Sequence, residues 1–263
     1  MTDTPPETGS ETHPVQQDTS SRWIARHGTP LALGIAVVAL GLSSWASFGG
    51  GFEGRVRTYL VENPQILDEM IHARDQRAAT ERIDRINAAV ASMPQMLEPG
   101  PGEPVFGPAD AAVTVVEYFD YRCPYCKAAA PGYLELMRAN PDVRFIFREW
   151  PILDSGTTTV SQHAARAALL AHSQGKYLAV HQALMAESAL SHEAIERILA
   201  ANGVDTGPNG QALMANSISR TLADVQAGAG AAGMDGTPTF FINGKASPSN
   251  DPAAIAQAIA AAR

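Results

Sequence analysis

Apolar and polar residues follow each other along this chain in blocks of different period. Residues 1–21 are rich in Thr, Ser, Pro, Glu and Gln. They hold almost nothing to bury, so a disordered tail is expected over 1–29. A run without formal charge then extends from His27 to Phe52, with its apolar centre at Leu31–Leu42. This run is apolar all round and not on one face only, which is the pattern of a membrane helix, expected at 30–48. A cleaved secretory signal ending near Ser44-Trp45-Ala46 is the other reading. Gly49-Gly50-Gly51 makes a flexible joint. From 52 to 93 the pattern is helical and charged, with one break at Asn63-Pro64. Ile83, Ile86, Val90 and Met93 stand at the 3-4-3 spacing of a coiled-coil seam, so this stalk is expected to associate with copies of itself.

Pro and Gly concentrate over residues 92–108, which places a linker at 94–104 and a domain at 105–263. Within that domain the periodicity predicts a strand at 113–119, a helix at 124–139 and a strand at 143–149. Helical segments follow over 158–231, then a strand at 239–242. Asn243-Gly244 is a hairpin signal, with Lys245–Ser247 as the short return strand. Asp251-Pro252 opens a closing helix carrying Ile255 and Ile259. The order βαβ, helical block, ββα is that of an α/β thioredoxin fold with a helical insertion.

Charge and cysteine content narrow the function. A formal net charge of -8 without a Lys/Arg block excludes a nucleic-acid partner. The 2 cysteines are Cys123 and Cys126. They close too small a loop to act as a structural staple, so they are read as reactive or metal-binding. Structural zinc needs four ligands, and no second Cys pair or close His pair exists. Copper(I) held by the two thiolates remains a chemical alternative. His163, His172, His181 and His192 fall on helical segments and are read as ordinary surface or satisfied histidines.

The reactive reading has local support. Cys123 is expected at the start of a helix, with Pro124 in the first helical position, where helix N–H groups favour an anion. Arg122 and Lys127 flank the pair with positive charge. Cys126, one turn in, is the expected resolving thiol. Glu117 stands in the middle of the apolar strand. It is either a raised-pKa carboxyl beneath the dithiol that moves the proton of Cys126, or a solvent-facing residue of an edge strand. Thr237-Pro238 is expected to be a cis bond beside the dithiol, exposing the Thr237 backbone to an extended peptide. The positive residues Arg22 and Arg26 before the apolar run are balanced by Arg55 and Arg57 after it. Orientation therefore rests on the chemistry. A disulfide-exchanging dithiol belongs in an oxidising compartment, which puts the N-terminus in the cytoplasm and the catalytic domain across the inner membrane, in the periplasm.

The segments Val-Glu-Tyr-Phe-Asp-Tyr-Arg-Cys-Pro-Tyr-Cys at 116–126 and Gly-Thr-Pro-Thr-Phe-Phe-Ile-Asn-Gly at 236–244 resemble the DsbA-like family of thiol-disulfide oxidoreductases. The resemblance covers roughly 105–263. It implies Cys123 as nucleophile, Cys126 as resolving cysteine, Pro238 as the cis-proline and Glu117 as the buried acid. Thr237, Pro124 and Tyr125 would meet the substrate. It further implies polypeptide substrates, a membrane redox partner and no cofactor beyond the Cys123–Cys126 disulfide. Val56–Pro64 is similar to the N-terminal region of the suppressor-of-copper-sensitivity C (ScsC) proteins, some of which trimerise through it and isomerise disulfides. That likeness points to a homo-oligomer formed through 52–93. The chain departs from the family's oxidase pattern at Tyr125, where His stands, and at Thr237, where Val stands.

Overall fold

Val115, Val116 and Phe119 in one run, and Phe145, Ile146 and Phe147 in another, are apolar toward both faces. Strands of that kind need cover on both sides, and these two form the parallel centre of the sheet. The computed structural model describes residues 33–44 and 51–263. In chain order the elements are helix α1 (33–44), α2 (Gly51–Glu62), α3 (Gln65–Ala91), strands β1 (Val105–Phe106) and β2 (Thr114–Phe119), α4 (Pro124–Ala139) and β3 (Arg144–Glu149). They continue with α5 (Val160–Ser173), α6 (Tyr177–Ala186), α7 (His192–Ala201), α8 (Asn216–Ala231), β4 (Thr239–Ile242), β5 (Lys245–Ala246) and α9 (Pro252–Ala262). The sheet order is β1-β3-β2-β4-β5. β2 and β3 run parallel, and the other pairs are antiparallel.

The helical insertion is α5 to α8, as the pattern predicts. The hairpin after β4 turns through Asn243 and Gly244 at φ 44° and 82°, which is why Asn-Gly stands there. The Asp251 side chain caps α9 by accepting from Ala253 N at 3.1 Å. One face of the sheet packs Val115, Phe119, Phe145, Phe147, Phe240 and Ile242 against residues of α4 to α9. The other packs Val116, Tyr118, Ile146 and Phe241 against α8 and the end of α3.

The chain divides into one unit ending at Ala73 and another spanning Arg74–Arg263. The division therefore falls within α3, not in the linker expected at 94–104. The physical reason is burial. Ile86 and Val90 are 0% and 1% exposed, and with Ile83 they lie in the core behind the sheet. The seam that the spacing assigned to self-association is, at these three positions, covered by the chain's own strands. Residues 94–106 are held as well. Arg148 on β3 pairs with Glu103 at 3.0 Å and donates to the Glu98 carbonyl at 2.7 Å, to the Met96 carbonyl and to the Tyr118 hydroxyl at 2.6 Å.

In the first unit, Asn63 closes α2 by donating its backbone N–H and its side-chain amide to the Tyr59 carbonyl, at 3.0 and 2.8 Å. Phe52, Val56, Leu60, Leu67 and Met70 line an open apolar groove along α2 and the start of α3. The tail expected at 1–29 lies outside the described residues, as do both ends of the span expected at 30–48. The part described, 33–44, is an exposed helix. Among the described residues no helix is long and apolar enough to cross a membrane.

Candidate active site

β2 ends at Phe119, and a turn through Asp120, Tyr121 and Arg122 leads to Cys123 just before α4. Cys123 has φ -70° and ψ 120°, with Pro124 in the first helical position. Its backbone N–H donates to the Asp120 carbonyl at 3.0 Å, and its own carbonyl accepts from Lys127 N at 3.0 Å. Cys123 and Cys126 are both free thiols, 4% and 0% exposed. The Cys123 thiol donates to the Thr237 carbonyl at 3.2 Å, and Thr237-Pro238 is cis. The turn before β4 and the start of α4 thus meet at the sulfur.

The two thiols differ sharply in acidity. Cys123 is lowered to about 5, chiefly by a hydrogen bond from the Cys126 thiol, then by the Thr237 side chain and the N–H groups of Cys126 and Tyr125, with burial opposing. The charges of Arg122 and Lys127 are directed elsewhere. Arg122 donates to the Leu153 carbonyl and Asp154 at 2.8 and 3.3 Å. Lys127 caps the end of α6 through the carbonyls of Leu184, Met185 and Glu187 at 3.0, 3.3 and 2.7 Å. The Cys126 thiol does most to acidify Cys123, and the N–H groups of the helix start add to it. Burial, the bond to Cys123 and the Glu117 charge together push Cys126 far above an ordinary thiol.

Glu117 lies on the central strand, paired with Phe147 on one side and Phe240 on the other, so it is not an edge residue. It is 1% exposed, and neither carboxyl oxygen has a hydrogen-bond partner. Burial raises it to about 8. A carboxyl of that affinity beside a buried thiol can gain or lose a proton near neutral pH. Pro124 and Tyr125 lie at the mouth, Tyr125 67% exposed.

Two groups of residues were not singled out by the sequence. Asp120 is 2% exposed and fastens the redox turn to the chain beyond β3. Its carboxylate accepts from Arg122 N and Ser161 Oγ at 2.8 and 2.9 Å, and from Leu153 N at 2.9 Å. Glu149, at the end of β3, accepts from the hydroxyls of Tyr121 and Tyr177 at 3.1 and 2.8 Å. Tyr121 Oη also lies 2.9 Å from His181 Nδ1. His181, read from the sequence as a surface or satisfied histidine, is 1% exposed and is satisfied within this network. The signal for Asp120 was an acid directly after the last residue of an apolar strand. For Glu149 it was an acid closing an apolar parallel strand. Among the described residues no group of three or more His, Cys, Asp or Glu side chains could hold a metal ion. The soft donors of the site are the two thiols themselves.

Thiols of opposed acidity, one helical turn apart beside a cis-proline, define a thiol-disulfide oxidoreductase site on a thioredoxin fold. The chain belongs to the thioredoxin family whose model, Thioredoxin_4, matches residues 100–261, and within that superfamily it is DsbA-like. A thioredoxin-like oxidoreductase from Silicibacter pomeroyi is 38% identical, over 64% of this chain and 96% of that one, with a TM-score of 0.59. Proteus mirabilis ScsC in a transitional conformation is 26% identical, over 82% of this chain and 97% of that one, with a TM-score of 0.59. The Na(+)/H(+) antiporter NhaA 1 of Salinispora arenicola is 34% identical over 146 residues, 54% of this chain. That match spans only 22% of the antiporter, so the chain covers about a fifth of the curated relatives it matches.

Proposed function

We propose that this protein is a membrane-tethered enzyme that forms or rearranges disulfides in exported polypeptides through the Cys123–Cys126 couple. The carrying observation is the opposition between an acidified Cys123 and a buried, proton-retaining Cys126 next to Glu117. Cys123 attacks, or is attacked, as the outer sulfur. Cys126 releases the substrate, and Glu117 takes or returns the Cys126 proton. An extended substrate pairs with the Thr237 backbone beside Pro238 and crosses Pro124 and Tyr125.

A thiolate at Cys123 favours the dithiol over the disulfide. With water screening at the mouth allowed for, this amounts to roughly 2 kcal/mol, or about 40 mV toward the oxidising side. Rearrangement as well as formation is supported by the apolar groove of α2 and α3, whose covering by a second or third copy would bring several dithiols to one client. The tether is the uncharged run at 30–48, and the exchange chemistry favours the periplasmic side for the catalytic domain, beside a membrane redox partner.

The test uses a scrambled-disulfide protein as substrate. Cys123→Ser is expected to abolish exchange with the fold intact, and Cys126→Ser to accumulate mixed disulfides. Equal alkylation rates of the two reduced thiols near neutral pH would contradict the assignment.

A further inference from the structure

The turn that ends at Pro238 is held from several directions. On the dithiol side, the Cys123 thiol donates to the Thr237 carbonyl at 3.2 Å. From β4, Thr239 Oγ1 donates to the Gly236 carbonyl at 2.8 Å. From the end of α8, the Ala229 carbonyl accepts from Met234 N at 3.0 Å. The remaining support comes from α3. Arg82 Nε lies 2.5 Å from Asp235 Oδ1. Nε is buried and makes no aligned hydrogen bond, so the contact is an ion pair. The Arg82 Nη2 atom lies beside Gly236, 3.9 Å from where a Cβ would stand.

Arg82 is itself firmly placed. Further along α3, Ile86 and Val90 pack with Met234, Phe241 and Ala246. Asn87 Oδ1 accepts from Ala246 N at 2.8 Å. The helix is thus fastened to the β4–β5 hairpin beyond the turn, and the guanidinium is a fixed post beside it. The turn is the pliable partner. Gly233 has φ 66°, and Gly236 carries no side chain to restrict its backbone.

We propose that Arg82 is a positioning residue for polypeptide substrates: through Asp235 and Gly236 it holds the turn so that the Thr237 backbone stays where an extended chain pairs with it. The inference rests on the oxidoreductase reading above and adds a residue of α3 to it. Arg82 touches no reacting atom.

Backbone pairing depends on distance and angle, and a turn that must be ordered during binding weakens the complex. The Arg82 and Asp235 side chains are 32% and 69% exposed, so their pair adds little to global stability. Its effect is local. It removes other positions of the turn before a substrate arrives. A polypeptide that pairs with Thr237 gains from this, and a small thiol that meets only the sulfur does not.

The test reduces the oxidised full chain in a single turnover with two dithiols. One is a short linear peptide with a cysteine near each end. The other is dithiothreitol, which has no peptide group. In both cases a substrate thiolate attacks Cys123 Sγ and the Cys123–Cys126 bond breaks. Its electron pair leaves on Cys126, which takes up a proton. The second substrate thiolate then attacks the substrate sulfur of the mixed disulfide, and Cys123 leaves as a thiolate. The enzyme disulfide is reduced, and the substrate is oxidised to a cyclic disulfide.

In Arg82→Ala the peptide concentration at half-maximal rate should rise about three- to fivefold, the range that a partly exposed ion pair supplies. The limiting rate and the rate with dithiothreitol should stay at the wild-type level. Asp235→Ala should have the same effect, and the double variant should be no worse than either alone. Arg82→Lys keeps the charge without the planar fork and should fall between. A rise in Arg82→Ala with none in Asp235→Ala would mean that Arg82 meets the peptide directly. A loss shared by dithiothreitol would mean that the pair shapes the dithiol and not the turn. Either result overturns the proposal, as does an unchanged half-maximal concentration in both variants. If the wild-type disulfide is reduced by dithiothreitol but never by the peptide, the oxidoreductase reading fails and this inference fails with it.

Discussion

β2 and β3 show two opposite treatments of charge within adjacent residues. On the face behind the sheet, Arg148 meets Glu103, two carbonyls and the Tyr118 hydroxyl. On the dithiol face, Glu117 has no partner at all, and Glu149 keeps one oxygen unpaired. Side chains alternate along a strand, so Glu117 and Tyr118, or Arg148 and Glu149, serve different faces. The satisfied charges hold the segment before β1 in place. The unsatisfied ones cost stability, and a Glu117 raised to about 8 suits the exchange chemistry proposed above. Stability and reactivity are thus divided between the two sides of one sheet.

Breaking the matched side should have the largest effect. Arg148→Ala leaves Glu103 buried without its cation and is expected to destabilise the fold by about 3–5 kcal/mol, read from urea unfolding. The surviving folded molecules should retain the acidity of Cys123. If the loss of stability came with a normalised Cys123, the two faces would not be separable.

Relieving the unmatched side should act in the opposite direction. Glu117 is raised from 4.5 to about 8, so the folded chain binds more protons than the unfolded chain between those values. Its contribution to stability therefore declines as pH rises through that window. Glu117→Gln removes the decline, and at pH 7 it is expected to stabilise the protein by on the order of 3 kcal/mol while slowing exchange. The measurement is the wild-type to variant difference at several pH values, in which the opposite trend from Cys123 cancels. A difference independent of pH would show that Glu117 does not titrate in this range. His181, lowered from 6.5 to about 3, acts on the acid side, where stability is lost as pH falls through that interval.

The smallest effect concerns how α3 belongs to the sheet. Asn87 Oδ1 accepts from Ala246 N on the edge strand at 2.8 Å. Asn87→Ala should cost about 1 kcal/mol and speed amide exchange at Ala246. Unchanged exchange there would mean that α3 does not close this edge.

These comparisons also show what the sequence could convey. Cys123, Pro124, Cys126 and Pro238 were legible because helix starts and X-Pro bonds are local features with fixed spacing. Glu117 stood out as a lone acid in an apolar run, and only the register with Phe147 and Phe240 removes the edge-strand reading. Glu149 and Asp120 were missed because an acid at a strand's end looks like the beginning of a solvated loop. The Ile83, Ile86 and Val90 spacing correctly marks an apolar stripe, but a period says nothing about which surface covers it. The Pro/Gly-rich segment likewise predicts irregular backbone, and Arg148, some fifty residues away, is what fixes it.

The helices between β3 and β4 look like a removable lid, the kind of block that recombination or a protein engineer would exchange between relatives. Tyr177 and His181 belong to that block, yet their polar atoms end beneath the dithiol, on Glu149 and Tyr121. A chimera carrying a foreign lid without this tyrosine would inherit the whole Cys-Pro-Tyr-Cys turn and still lack one of the two hydroxyls that Glu149 accepts. The polar surroundings of the proposed dithiol site are therefore spread across segments that look interchangeable.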